Sequence, residues 1–307
     1  TNIIQYSLNG GILSPTAFGR VDYAKYYSSV KDGLNVNAHP HGGMRKRSGL
    51  KYIATLAGDG RLIKFAFNVS QYYMLVFTDL NIAVYQNDVF VQDVTTTYTL
   101  AQVKEIGFAQ SADTMIMVHE DVAPHKLVRM GSDTSWGLST IALTGIPTFD
   151  FGAGAEAVWS VTRGWPRTCT FHQGRLYFGG SKSKINSVWG SKPNDFFNFT
   201  VGTGVADDAI FDTIDSDQFN AINGIYSSRH LQVFTSGGEF YNTASIPTPA
   251  DSGWKKQTSY GSVKDRPISV DGATLFIDSS KRTLRQFVWS FNEDSYVSSN
   301  VTLLSSH

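Results

Sequence analysis

An all-β fold is predicted for this 307-residue chain by three observations. Short runs rich in β-branched and aromatic residues recur along most of the sequence, separated by turns bearing Gly, Asn or Asp. The runs group into β-meanders, and five such groups follow one another. Their central apolar strands, anchored at Phe77, Val118, Phe178, Phe234 and Phe276, are spaced by about 41, 60, 56 and 42 residues, which brackets the ~40 to 50 of propeller blades. One four-stranded sheet cannot bury both of its faces, whereas sheets stacked around an axis cover one another. A β-propeller of four-stranded meander blades is therefore the expected architecture.

Taken in order, residues 1–50 read as an extension distinct from the body at 51–307. Asp22 is placed as an N-cap for a helix over Tyr23 to Asp32, with Tyr23, Tyr26, Tyr27 and Val30 on one stripe and Gly33 ending it. The stretch His39-Pro40-His41-Gly42-Gly43 reads as a polar loop, since its two histidines lack nearby Cys, Asp or Glu partners for a metal. From Lys51 the period becomes that of strands. The first copy is Leu62 to Phe67, Tyr72 to Phe77, Ile82 to Tyr85 and Val89 to Val91. The second is Val103 to Phe108, Met115 to Val118, Lys126 to Met130 and Leu138 to Leu143. The third is Thr168 to Phe171, Leu176 to Phe178 and Ser187 to Gly190, after an inter-blade excursion over Ile146 to Pro166. The stretch Asp207 to Tyr241 reads as one complete unit, an acidic approach followed by three strands. The fifth copy is Ile268 to Val270, Thr274 to Ile277 and Leu284 to Phe291. Val301 to Leu304 reads as the start of a further strand, so either a blade closes with an amino-terminal strand or the body is incomplete at its carboxyl end.

The 26 basic and 26 acidic side chains cancel, which removes any bulk electrostatic case for nucleic acid or an anionic membrane. No stretch approaches the ~20 apolar residues of a membrane span and no signal peptide is evident, so a soluble protein made in a cytoplasm is expected. The single cysteine, Cys169, sits in an apolar run and is expected to be a small core residue. No cofactor or metal is expected.

Two regions carry a family resemblance. The amino-terminal LNGGILSPTAFGRVDYAKYYSSVKDGLNVNAHPHGGMRKRSGLKYI is similar to the opening of the tail tubular or nozzle proteins of short-tailed bacteriophages. RLYFGGSKSKINSVWGSKPNDFFNF, ADDAIFDTI, FTSGGEFY and QTSYGS resemble the body of the same family, in the same order. The resemblance implies a structural virion protein of the phage tail, assembled in the host cytoplasm. Its members form a ring, usually sixfold, below the portal and head–tail adaptor rings. DNA leaves through the channel, touching the wall transiently and non-specifically, and tail fibres or tailspikes attach nearby. Residues expected at subunit or adaptor contacts, chosen from this sequence, are Tyr23, Tyr26 and Tyr27 of the helix and Arg45, Lys46 and Arg47 of the basic triplet; the alternative is that the helix packs on its own propeller. Asp207, Asp208, Asp212, Asp215 and Asp217 form an acidic loop that can repel DNA phosphates from a channel wall; its spacing lacks the Gly hinge and terminal Glu of a calcium loop.

No enzyme activity is expected. Glycoside hydrolysis needs two carboxylates at a fixed separation, and no spacing here singles out such a pair. His119 with Glu120, and His172, read as satisfied turn or strand residues. The alternative is a carbohydrate- or protein-binding propeller, which needs only exposed loops and aromatics such as Trp136, Trp159 or Trp254.

Overall fold

The structure is a computed structural model that describes residues 4–216 and 220–303. Five four-stranded antiparallel sheets follow in chain order, each a simple meander. Blade 1 comprises Arg61–Ala66, Tyr72–Thr78, Asn81–Gln86 and Val89–Thr95; blade 2 comprises Gly107–Ser111, Thr114–His119, Val122–Arg129 and Trp136–Thr140. Blade 3 is Thr168–His172, Arg175–Gly179, Ser187–Gly190 and Ile210–Thr213. Blade 4 is Ile222–Ser227, Leu231–Thr235, Glu239–Asn242 and Trp254–Thr258. Blade 5 is Ile268–Val270, Ala273–Ile277, Leu284–Ser290 and Ser295–Asn300.

The core is a series of seams, one between each pair of consecutive blades. Strand alternation explains why. In the second strand of blade 2, Met115 and Met117 join the seam with blade 1, while Ile116 and Val118 join the seam with blade 3. In blade 3, Leu176 and Phe178 face back and Tyr177 faces forward. In blade 4, Leu231 and Val233 face back and Phe234 packs with Phe276 and Phe287 of blade 5. A strand buried on both faces reads as an unbroken apolar run, which is why these central strands stand out in the sequence. The β-propeller architecture is thus the one present.

Several boundaries differ from expectation. The segment 103–108 is not a single strand: Leu100–Glu105 is a helix, its start held by Gln102 Oε1 and Asp79 Oδ1, which accept the Thr99 and Leu100 N–H groups at 2.9 and 2.8 Å. The acidic approach at 207–215 belongs to blade 3, because Ile210–Thr213 pairs with Ser187–Gly190 as that sheet's last strand. Blade 4 is completed by Trp254–Thr258 and blade 5 by Ser295–Asn300. The residues 301–303 form a turn, not a strand. The excursion after blade 2 carries a small hairpin, Thr148–Asp150 with Ala155–Ala157, and then drives Val158 and Trp159 into the seam between blades 2 and 3.

The helix expected over 23–32 is reduced to a 3-10 turn at Tyr26–Ser28, followed by Ser29–Val30 pairing in parallel with Gly11–Ile12. Two sets of local bonds account for this. The Asp22 carboxylate is taken by the Arg20 guanidinium at 2.7 and 2.6 Å instead of capping, and Ser28 and Ser29 hydroxyls both donate to the Lys25 carbonyl at 3.1 and 2.7 Å. Such side-chain bonds compete with the helical ladder, and a ten-residue helix without a packed face is marginal. A hairpin, Val36–Ala38 with Met44–Lys46, completes the extension.

Candidate functional site at the blade axis and the open end faces

The first strands of blades 2, 3 and 4 lie side by side and define an axis. They start at one mouth, lined by Gly107, Phe108, Thr168, Cys169, Ile222 and Asn223, and finish at another, lined by Ser111, Phe171, His172 and Ser227. Close approach here requires glycine: a Cβ on Gly107 would sit 2.6 Å from the Arg167 carbonyl oxygen, and one on Gly179 would sit 2.4 Å from Ile225 Cδ1.

The first mouth is stoppered by paired charges. Lys264 Nζ lies 2.6 Å from Glu105 Oε2 and 4.0 Å from Glu120 Oε1, Arg167 pairs with Glu120, and Lys182 pairs with Asp121. Arg61 donates to the carbonyls of Val103 and Ile106 at 3.1 and 2.8 Å, and the guanidinium groups of Arg61 and Arg266 both lie on the Phe108 ring. The remaining space is about 30 Å³, roughly enough for a water or two. Burial pushes the Cys169 thiol up to about 12, opposed by Arg266, so the sulfur is held protonated.

The second mouth is an open concavity of about 300 Å³. Its aromatic wall is Phe171 edge-on to Phe196 at 5.2 Å. His172 Nδ1 is 2.9 Å from Ser227 Oγ, and its buried Nε2 has no hydrogen-bond partner among the described residues. Burial, with the nearby His230 charge, lowers His172 to about 4, so the ring is neutral near pH 7. The arrangement offers hydroxyls, a neutral imidazole and a flat apolar wall to a ligand; the His–Ser pair has no carboxylate behind it among the described residues.

The acidic residues singled out in the sequence are not brought together. Asp208 is buried and accepts from the Gly204 and Val205 N–H groups at 3.1 and 3.3 Å, with Lys192 at 3.5 Å. Burial opposes its charge, but these donors hold its pKa below the usual carboxylate range. Asp212 lies in the last strand of blade 3 and accepts from Ser252 Oγ and, at 3.3 Å, from Trp254 Nε1 of blade 4; burial raises its pKa and these donors oppose the rise. It latches one blade to the next. Asp207 and Asp215 are exposed, and Asp217 lies outside the described residues. Among the candidate aromatics, Trp136 and Trp159 are 3% and 1% exposed and fill seams, so they are not free to bind a ligand.

Motif residues also hold single blades together. Arg175, 3% exposed, donates to the carbonyls of Ser191 and Asp208 at 2.6 and 2.7 Å and to that of Ala206. Glu239 accepts from Thr258 Oγ1 and the Tyr260 N–H. Thus RLYFGG is tied to ADDAIFDTI, and FTSGGEFY to QTSYGS. Sequence alone gave no signal for these pairings, which join residues 19 to 33 apart.

In the extension, Tyr23 is half-buried under Arg20, Tyr26 packs edge-on to Tyr27 at 5.3 Å, and Tyr27 is 64% exposed. Arg45, Lys46 and Arg47 are exposed on and just after the second hairpin strand; Arg47 donates to Asn35 Oδ1 at 3.3 Å. His39 and His41 lie at the hairpin tip, and among the described residues no group of three metal-ligating side chains occurs. Among those residues no helix is long and apolar enough to cross a membrane.

The two end faces of the blade series are open. On blade 1, Leu62, Tyr72 and Met74 are 63%, 53% and 41% exposed, and with Ile53 and Leu56 of the preceding strap they line a groove of about 840 Å³. On blade 5, Ile268 and Val270 of the first strand are 56% and 46% exposed.

No protein-family model matches the chain, and no curated protein matches it in sequence. Among solved structures it is similar to Kluyveromyces lactis Hsv2, at 9% identity over 75% of this chain and 63% of that one, with a TM-score of 0.42. It thus spans less than two thirds of the Hsv2 chain. It is also similar to a putative 6-phosphogluconolactonase from Bacteroides uniformis, at 12% identity over 85% and 74% of the two chains and a TM-score of 0.48. A third similar structure is YCF48 bound to D1 peptide, at 11% identity over 83% and 74% and a TM-score of 0.37.

Proposed function

We propose that this chain is a structural assembly protein, a stack of blades whose open faces pack against other protein chains. Its specific form, in this reading, is a wall element of the tail nozzle of a short-tailed phage. The observation that carries the assembly reading is the pair of apolar end faces, on blade 1 around Leu62, Tyr72 and Met74 and on blade 5 around Ile268 and Val270. Apolar surface concentrated in this way marks a protein contact more often than it marks plain solvent exposure. The ordered amino-terminal and body motifs support the phage-tail form, and the way Arg175 and Glu239 tie the motifs together within blades 3 and 4 suits a wall that must stay rigid. No catalytic step is assigned to any residue.

In this reading the partners are further copies in a ring and a head–tail adaptor ring, and the location is the virion tail. Of the acidic residues, Asp207 and Asp215 are the ones exposed to face passing DNA, since Asp208 and Asp212 are committed to loop and blade contacts. Co-expression with the products of the neighbouring genes tests the proposal. Stable co-purification with a portal or adaptor ring is expected, and a neighbourhood without such genes, or no complex with their products, contradicts it.

One observation favours a second reading, a carbohydrate- or protein-binding module. The second axial mouth sets the Ser111, Ser227 and Ser228 side chains beside Phe171 and Phe196. Saturable glycan or peptide binding abolished by Phe196→Ser would support it, and no binding across a broad glycan array would count against the carbohydrate form.

A further inference from the structure

Two exposed patches of opposite charge face solvent on this chain. The first is the amino-terminal hairpin. Its second strand, Met44–Lys46, presents Arg45 and Lys46, followed by Arg47; its first strand opens with Val36, 36% exposed, just after Leu34, 84% exposed. Among the described residues none of these three cations has a carboxylate within ion-pair distance, unlike Arg20 or Lys51. The hairpin has only two strands, so among the described residues both of its edges lack a strand partner.

The second patch is the free end of blade 5. Its first strand, Ile268–Val270, is the sheet's edge and is exposed along its whole length, with neither Pro nor Lys inside it to discourage pairing. The turn after it holds Asp271, and the turn joining the third and fourth strands holds Glu293 and Asp294 beside Phe291. In an antiparallel meander these two turns lie at the same end of the sheet. Asp271, Glu293 and Asp294 are exposed and, among the described residues, lack an ion-pair partner; Arg229 lies over the Phe291 ring at 5.3 Å.

Within one chain neither a shared sheet nor a hydrogen bond links the two patches among the described residues. We propose that they meet between copies: the basic hairpin of one copy docks on the edge strand and acidic turns of blade 5 of a second copy. Backbone pairing along Ile268–Val270 would supply alignment, Leu34 and Val36 would cover Ile268 and Val270, and three cations would face three carboxylates. The contact uses different surfaces on the two copies, so it is heterologous and repeats head to tail, closing into a ring or extending as a filament. This rests on the assembly reading and names the surfaces that reading leaves unspecified.

Charge exchange on the full chain tests it, read by native mass spectrometry and sedimentation at low ionic strength. Variant one carries Arg45→Glu, Lys46→Glu and Arg47→Glu; variant two carries Asp271→Lys, Glu293→Lys and Asp294→Lys. Wild type is expected to self-associate, and each variant alone to associate at least about tenfold more weakly, each remaining folded, with thermal unfolding unchanged in variant one and lowered only modestly in variant two, where Asp271 and Asp294 hold φ of 49° and 47°. Mixing the two variants restores complementary charge at every contact, so alternating assemblies with equal numbers of each are expected. A monomeric wild type, association indifferent to both charge sets, or a mixture that fails to recover would each overturn the proposal. Self-association indifferent to charge would leave the assembly reading standing with a different interface, while co-purification with a portal or adaptor ring tests that reading separately.

Discussion

Replacing Trp159 with alanine tests whether the seam between blades 2 and 3 is a real packing unit. Trp159 comes from the loop between the blades, is 1% exposed, and meets the rings of Phe178, Trp189 and Phe199 edge-on at 5.5, 5.1 and 5.0 Å. Truncating a buried Trp to Ala costs about 3 to 5 kcal/mol through lost transfer energy and the cavity left behind. Its indole Nε1 is buried without a hydrogen-bond partner among the described residues, so the substitution also removes an unfavourable desolvation and the value expected falls toward the lower half of that range. We predict a loss of about 3 kcal/mol in urea unfolding followed by far-UV circular dichroism, which does not depend on the deleted fluorophore. Trp159→Phe should recover more than half of the loss, and Val161→Ala, at a residue 92% exposed, should change stability by less than about 0.5 kcal/mol. A loss below about 1 kcal/mol for Trp159→Ala would refute the reasoning, because the loop would then lie on the blades without closing their seam.

Three further outcomes are expected. Cys169, buried and with its thiol pushed up to about 12, should resist a thiol reagent at pH 8 in the native protein and react on unfolding; labelling at native conditions would show that the axial mouth opens. His172 is lowered to about 4 in the folded state, so the unfolded chain takes up its proton first as the pH falls. The stability this provides is complete above about pH 6.5 and is lost as the pH drops through about 4, up to about 3 kcal/mol, and the difference between wild type and His172→Gln across that window isolates it from the other histidines. Arg175→Met leaves the carbonyls of Ser191, Ala206 and Asp208 without their donor and should cost about 3 kcal/mol or more, with faster proteolysis within 200–208 as the local readout.

The inner blades were legible because their central strands are buried on both faces. A run such as Met115 to Val118 has no polar side to blur its pattern, and in the end blades 1 and 5 the central strand still carries an apolar run although one face is open. Outer strands are half-exposed and carry weaker patterns, so the sequence pattern places Ile210–Thr213 in the following unit and does not mark Ser295–Asn300 as a strand. Local chemistry misled at two places. Apolar spacing alone does not separate the short helix Leu100–Glu105 from the strand that follows, and Asp22 reads as a cap until Arg20 is seen to hold its carboxylate. The acidic loop failed for a different reason. Asp208 and Asp212 are close in sequence to Asp207 and Asp215, but folding commits the first two to backbone and inter-blade donors and leaves the others in solvent. Residues whose role depends on a partner in another strand or loop, as with Arg175 and Glu239, leave no local trace.

The most direct test of the assembly account is hydroxyl-radical footprinting of the chain alone and in complex with the ring it co-purifies with. Protection is predicted at Leu62, Tyr72 and Met74 on blade 1 and at Ile268 and Val270 on blade 5, all exposed in the isolated chain. Protection confined to Phe171, Phe196 and the serines of the axial mouth, with both end faces still reactive, would contradict it and favour a ligand-binding propeller.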